Sequence, residues 1–294
     1  MEEQKNILIL RYLEFKNKLP ILFIIIFLST ALSCQKVIDV DLNSANPALV
    51  IEGIITDGPG PYIVKLTNST DYFNPGTPQA VTNATVVISD SDGNSDILQN
   101  SGDGIYKTIT LQGKSGKTYK IKVSVDGKNY EGQSYMPPLV RLDTIVLSKE
   151  ASAGGFGGGS PRPGNSKGLI INCAFLDPVD AVNYYSFNLY IDSAIKKREG
   201  NARFTIQNDQ NFNGQILTHS FRNRTKTGDT VKIELLSINK ATYDYYRTIN
   251  SIAGGGGGIG GGNAAPANPN TNLTNGAMGY FAAIAVSRKK LIVK

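Results

Sequence analysis

Histidine occurs once in this 294-residue chain and cysteine twice. A lone histidine, His219, excludes multi-histidine metal centres and leaves one candidate general base of that type. The two thiols, Cys34 and Cys173, exclude a disulfide framework, and no intrachain bridge remains if Cys34 is acylated. Long apolar runs are equally scarce. The one at residues 19–28 falls short of the roughly 20 residues that a bilayer span needs, and no second follows. No basic run is interleaved with aromatics. Removing residues 1–33 takes away four basic and three acidic residues, so the formal charge falls only from +6 to +5. So mild an excess does not point to nucleic acid.

What stands around the apolar run is informative. Lys5, Arg11, Lys16 and Lys18 precede it, and small residues follow it up to Ser33, which is the layout of a secretory signal. The sequence "ALSC", residues 31–34, closes the run where a cleavage site belongs. It resembles a bacterial lipobox, in which the cysteine becomes the lipidated first residue of the mature protein; a signal-anchor with an incidental cysteine is the competing reading. Residues 1–33 are therefore expected to be a lipoprotein signal peptide and 34–47 the lipidated Cys34 with its tether. Each acyl CH₂ buried in the bilayer contributes about 0.8 kcal/mol to the anchor.

The rest of the chain reads as strands. "ALVIEGIIT", "PYIVKLT", "ATVVIS", "IYKTIT", "TYKIKVSV" and "KNYEGQSY" are short, rich in β-branched and tyrosine residues, and separated by Gly, Pro, Asn and Asp. In "TYKIKVSV" the alternation of Tyr119, Ile121, Val123 and Val125 with Lys120, Lys122 and Ser124 gives one solvated face. Asp126-Gly127 follows as a hairpin signal. These strands predict an antiparallel β-sandwich over residues 48–139, and the segments "ATVVISDSDG", "GIYKT" and "GKTYKIKV" resemble the Ig-like or carboxypeptidase-regulatory type of sandwich. Met136-Pro137-Pro138 ends its last strand. A second, mostly β domain with one packed helix is expected over 140–294, from "RLDTIVLS", "GLIINCAFL", "NYYSFNLYID", "ARFTIQ", "GQILTHSF", "DTVKIELLSI" and "MGYFAAIAVS". Glycine-rich loops interrupt it at 154–168 and 254–262. The helix is "NKATYDYYRTINSI", with Asn239 as N-cap, Tyr243, Tyr246, Ile249 and Ile252 at helical spacing, and Gly254 as the stop.

Catalytic patterns are present but lack their contexts. "GNSKG", residues 164–168, fits the hydrolase pattern G-x-S-x-G, yet Ser166 lies in a Gly/Pro loop with no helix after it. Ser193-Ala-Ile-Lys196 fits S-x-x-K without its companion motifs. His219 alternates with strand residues in "ILTHSF", which favours a surface or half-buried strand position over a general base. Cys173 lies in an apolar strand, as an inert buried thiol would. Two clusters offer oxygen to a hard cation: Asp90, Asp92 and Asp96 in "DSDGNSD", and Asp209, Asn211 and Asn213 in "DQNFNG". A full calcium loop wants a Glu at position twelve, where the second has Ser220. The same residue types make hairpin turns, and the turn reading outweighs the metal one. No cofactor is expected.

Asp143-Thr144-Ile145, Asp192-Ser193-Ala194 and Asp229-Thr230-Val231 resemble the D-[ST]-aliphatic sequence at which Bacteroidota O-glycosylate exported proteins, although so short a pattern recurs by chance. The segments "CQKVIDVDL", "PALVIEGIITDGPGPYIVKLTNSTDYF", "VTNATVVISDSDG", "GKTYKIKVSVDGKNYEGQSYMPP", "DPVDAVNYYSFNLY", "INKATYDYYRTI" and "NLTNGAMGYFAAIAVS" together resemble the Bacteroidota lipoprotein family known as domain of unknown function 4249. The two glycine tracts depart from its pattern as loop insertions. The resemblance implies an outer-membrane, lipid-anchored protein at the cell surface, the periplasmic face being the alternative. It also implies a TonB-dependent β-barrel receptor as partner, and brings no catalytic residues.

Three functions follow from this reading. The first is a non-enzymatic surface lipoprotein that serves a TonB-dependent receptor, with Tyr243, Tyr245 and Tyr246 as partner contacts, since tyrosine is favoured at interfaces; core packing is the competing role for these rings. The second is stand-alone capture of a glycan or peptide, which requires a groove with exposed aromatics and convergent polar groups. The third is hydrolysis, which requires His219 close to an acid and a serine.

Overall fold

The computed structural model describes residues 47–70, 76–149, 169–196, 204–253 and 268–294. The expected signal peptide, Cys34 and nearly all of the expected tether, Ser166, and the two glycine-rich segments lie outside the described residues. The chain is mainly β, with a single helix among the described residues. Its strands are β1 (Leu49–Thr56), β2 (Ile63–Asn68), β3 (Thr85–Asp90), β4 (Ser95–Ile97), β5 (Gln99–Asn100), β6 (Ile105–Lys107), β7 (Thr118–Val125) and β8 (Lys128–Tyr135). They continue with β9 (Thr144–Lys149), β10 (Leu169–Leu176), β11 (Tyr184–Ile191), β12 (Ala194–Lys196), β13 (Thr205–Asn208), β14 (Ile216–Thr225), β15 (Thr230–Ile238) and β16 (Met278–Ile292). The helix α1 (Lys240–Ala253) lies between the last two.

Local chemistry explains most of these elements. Residues Tyr119, Ile121, Val123 and Val125 of β7 are all buried while Lys120 and Lys122 are exposed, as period-two alternation requires. Asp126 and Gly127 both take positive φ, 48° and 73°, and so form the tight turn that joins β7 to β8. Asn239 caps α1 by accepting the Thr242 N–H on its Oδ1 at 2.8 Å. Its amide also donates to the Tyr135 carbonyl at 2.7 Å, which ties the start of the helix to the end of β8.

The strands form a nine-stranded sheet in the order β12-β11-β15-β16-β1-β2-β6-β5, with β13 also on β11, and two smaller sheets, β4-β3-β7-β8 and β14-β10-β9. Each smaller sheet packs on the large one, giving two sandwich-like cores. The first core joins Ile51, Val64, Tyr106, Tyr119, Ile121 and Met136 to Phe281 and Ala283 of the last strand. The second joins Ile171, Cys173 and Phe175 to Tyr185, Phe187 and Ile233. On the opposite face of the large sheet α1 makes a third cluster, where Tyr246 meets Tyr280, Ala282 and Ile284.

Both packing and hydrogen bonding run across residues 139/140, since the first core also takes Leu273, Ala277, Phe281, Ala283 and Ala285. Strand β16 pairs parallel with β1, from Val50↔Met278 to Thr56↔Ile284, and antiparallel with β15, from Thr230↔Ile292 to Ser237↔Ala285. Residues 46–294 accordingly form one compact unit. The parallel β1/β16 pair is an addition to the expected antiparallel pattern. Its seven central residues, 280–286, are all buried, as a strand covered on both faces should be. Among the described residues no helix is long and apolar enough to cross a membrane.

Candidate functional site

The candidate site is a cleft beside α1 on the outer face of the large sheet. Alternation in "LVIEGIIT" sends Ile51 and Ile55 into the core and turns Glu52 and Ile54 outward. The antiparallel register then sets Glu52 opposite Lys65 and Ile54 opposite Ile63. Helix α1 covers β16 but stops short of this part of β1 and β2. The uncovered strip is apolar: Ile54 and Ile63 are 49% and 48% exposed, an adjacent pair that a solvated strand face does not need.

The helix supplies the wall. Tyr245 stacks on Tyr280 of β16 at 4.3 Å between ring centroids and 21° between planes. Tyr246 stacks on Phe204 at 3.9 Å and 4°. With Glu52, Ile54 and Ile63 these rings line a cleft of about 490 Å³, within the usual range of ligand pockets. Burial raises the Tyr245 hydroxyl above its ordinary pKa, and the Glu52 charge raises it further. Burial does the same for Tyr280, against the lowering effect of its hydrogen bond with Thr242. Both hydroxyls stay protonated at neutral pH. The cleft therefore offers an apolar floor, an aromatic wall and one carboxylate.

A larger hollow of about 600 Å³ lies on the outer face of the four-stranded sheet. Its floor carries Lys122 directly opposite Glu131 and Lys120 opposite Gln133, an ordinary solvated strand face with cross-strand charge pairing. A short segment closes one side, with the Thr274 N–H donating to the Glu131 carbonyl at 2.8 Å. It has no aromatic lining, and the smaller cleft is the better binding site.

The residues singled out from sequence are placed as follows. Tyr245 and Tyr246 line the cleft, whereas Tyr243 stands beside it against Tyr184, with ring centroids 5.1 Å apart. Asp90 ties its own turn, accepting N–H groups of Asp92 and Asn94 at 2.9 Å each. Asp92 pairs with Lys117, and Asp96 points away to the backbone of residues 109–111. Asp209 is buried, Asn211 is exposed, and the Asn213 amide donates to the Val179 carbonyl at 3.2 Å. Neither candidate cluster thus closes on itself as a cation loop, and no three His, Cys, Asp or Glu side chains among the described residues are grouped to hold a metal.

Ser193 sits with Asp192 in a turn of positive φ, and Lys196 ends the three-residue strand after it. The S-x-x-K segment is thus a turn and a short strand, with no helix to set its serine and lysine on one face. His219 is half-buried on β14, its ring stacked on Phe187 at 4.3 Å and edge-on to Phe221 at 4.8 Å. Burial pushes the neighbouring Cys173 thiol up to about 12, which makes it inert. Of the three D-[ST] sites, Thr144 and Ser193 are exposed and Thr230 is half-buried. Their aspartates serve the backbone: Asp143 accepts the Leu176 N–H and Asp192 the Thr230 N–H, both at 2.9 Å.

Glu52, Ile54, Ile63, Phe204 and Tyr280 were not marked by any motif. The one available signal was the outward apolar position in "VIEGIIT", where alternation calls for a polar residue.

Comparison with known proteins adds the following. The chain matches the family described as domain of unknown function DUF4249 over residues 35–290. No curated protein matches it. Among solved structures, the adhesin InvE of Yersinia pseudotuberculosis is similar at 17% identity with a TM-score of 0.21, over 64% of this chain and 55% of that one.

Proposed function

The chain belongs to the DUF4249 family, which supplies no activity, and from its own geometry we propose a non-enzymatic binding lipoprotein whose aromatic cleft holds an extended peptide segment. The protein is held at the outer membrane of a Bacteroidota cell by acylated Cys34, and the segment belongs to a TonB-dependent β-barrel receptor that it serves. The observation that carries the binding reading is the half-exposed pair Ile54 and Ile63 beneath the Tyr245–Tyr280 wall. Such a floor suits an aliphatic side chain, and Glu52 suits a basic group or backbone N–H beside it.

A peptide is favoured over a glycan because the aromatic faces that a sugar would stack on are already stacked on one another. The non-enzymatic reading is supported by the placement of His219 among aromatic rings and of Ser193 in a turn. Anchoring rests on the lipobox-like "ALSC".

The test is an affinity pull-down of the tagged, lipidated protein from detergent-solubilised outer membranes of its own host, alongside Cys34→Ala and Ile54→Asp. Stoichiometric recovery of a β-barrel by the native protein, reduced at least tenfold in Ile54→Asp with unchanged melting temperature, is the expected result. Equal recovery by Ile54→Asp, or recovery of the native protein alone, would overturn the proposal.

A further inference from the structure

Two buried carboxylates stand where the loop after β10 meets the loop before β14. Asp177 and Asp209 are 2% and 1% exposed, and no ion pair among the described residues reaches either of them. Asp177 is satisfied, accepting the Tyr185 hydroxyl on Oδ1 and the Gly214 N–H on Oδ2 at 3.0 Å. Asp209 is only half satisfied. Its Oδ2 accepts the Asn183 N–H at 2.7 Å, while its Oδ1 is buried without a partner.

The pair ties one junction together, since Asp177 holds Gly214 at the end of the one loop and Asp209 holds Asn183 at the end of the other. Further hydrogen bonds interlock the two loops. Asn213 donates to the Val179 carbonyl, and the Asn183 amide donates to the carbonyl of Ala181 at 2.8 Å. Two carboxyl groups out of water, one with an oxygen that no hydrogen bond reaches, are unfavourable unless a counter-charge joins them. Carboxylate and carbonyl oxygens without nitrogen or sulfur are the donor set of a hard cation.

We propose that the interlocked loops at 177–183 and 209–214 bind a divalent cation of the calcium class, with Asp209 Oδ1 and Asp177 as its carboxylate ligands. Loop carbonyls and water supply the remaining oxygens. The cation fixes the two loops that carry the exposed apolar residues Val179, Val182 and Phe212. The site is separate from the aromatic cleft and does not depend on the function proposed for it.

The test uses the chelator-treated mature protein, titrated with calcium chloride by calorimetry and melted with and without the ion, next to Asp209→Asn. Magnesium chloride serves as the comparison ion. A single calcium site is expected, with a rise in melting temperature of about 5 °C or more at a hundredfold excess over Kd, and no rise in Asp209→Asn. A native protein that takes up no calcium overturns the proposal. An equal rise in native and Asp209→Asn proteins also overturns it, because that binding lies elsewhere. If Asp209→Asn fails to fold, Asp177→Asn replaces it, with the same outcomes.

Discussion

Asp96 spends its carboxylate on the backbone of a distant loop. It is 6% exposed, and its Oδ2 accepts three consecutive backbone N–H groups, those of Ile109, Thr110 and Leu111, at 2.8, 2.7 and 2.8 Å. Burial opposes its ionisation, but the three donors outweigh burial and hold the pKa below the ordinary carboxylate value. A depressed folded-state pKa means that its stabilisation is complete above the unfolded value of about 3.9. That contribution is lost as pH falls through the folded value. Replacing Asp96 by Ala leaves three N–H groups without their acceptor and should cost about 2–3 kcal/mol at pH 7. Urea unfolding at pH 7 and pH 3 checks both points: the native protein loses more stability between the two than Asp96→Ala does. Sequence placed Asp96 with Asp90 and Asp92 because the three are neighbours in the chain. Only the fold shows that Asp96 turns toward a segment more than ten residues away.

Elements whose determinants are local were the legible ones. The Asp126-Gly127 hairpin, the Asn239 cap and the alternation of β7 each depend on a few adjacent residues, and each lies where the sequence puts it. The short strands β4, β5 and β12 were not foreseen, because two or three residues carry no period. The parallel pairing of β16 with β1 was hidden for another reason. It joins opposite ends of the described chain, and nothing in either strand names its partner. The close approach is recorded in Gly279, whose φ is +89° and where an added Cβ would lie 2.2 Å from the Ile51 carbonyl oxygen. Only glycine tolerates both conditions. Gly279→Ala should therefore lose at least about 2 kcal/mol from strain alone, read as a lower midpoint in urea. A substitution at exposed Gly276, where an added Cβ meets nothing, isolates the cost of positive φ from that of the clash. The cleft was half legible in the same way. Helical spacing brought forward Tyr246, and the preference of tyrosine for interfaces Tyr245, whereas Ile54, Ile63 and Tyr280 reach the same cleft through strand register, which sequence alone does not supply.

The whole molecule is governed by the strand that closes it. Strand β16 gives Phe281, Ala283 and Ala285 to the first core, and Tyr280, Ala282 and Ile284 to the cluster under α1. Its C-terminal half is the hydrogen-bonding partner of β15, which lines the second core. The first core thus lacks both a wall and a sheet neighbour for β1 until the end of the chain arrives. A fragment of residues 48–139 loses the strand that pairs with β1 and shares the first core with Ile51 and Ile55, both fully buried in the whole chain. Fully burying one such side chain contributes about 1.5–3 kcal/mol, so uncovering these two takes a sizeable part of the 5–15 kcal/mol that holds a typical domain together. Residues 46–294, one compact unit, should accordingly melt in one cooperative transition, with calorimetric and van't Hoff enthalpies in agreement. The 48–139 fragment, and a chain truncated before Met278, should show no cooperative melt by circular dichroism. Two separate transitions, or a fragment that melts sharply on its own, would mean that each core folds independently and that β16 merely docks onto a finished sandwich.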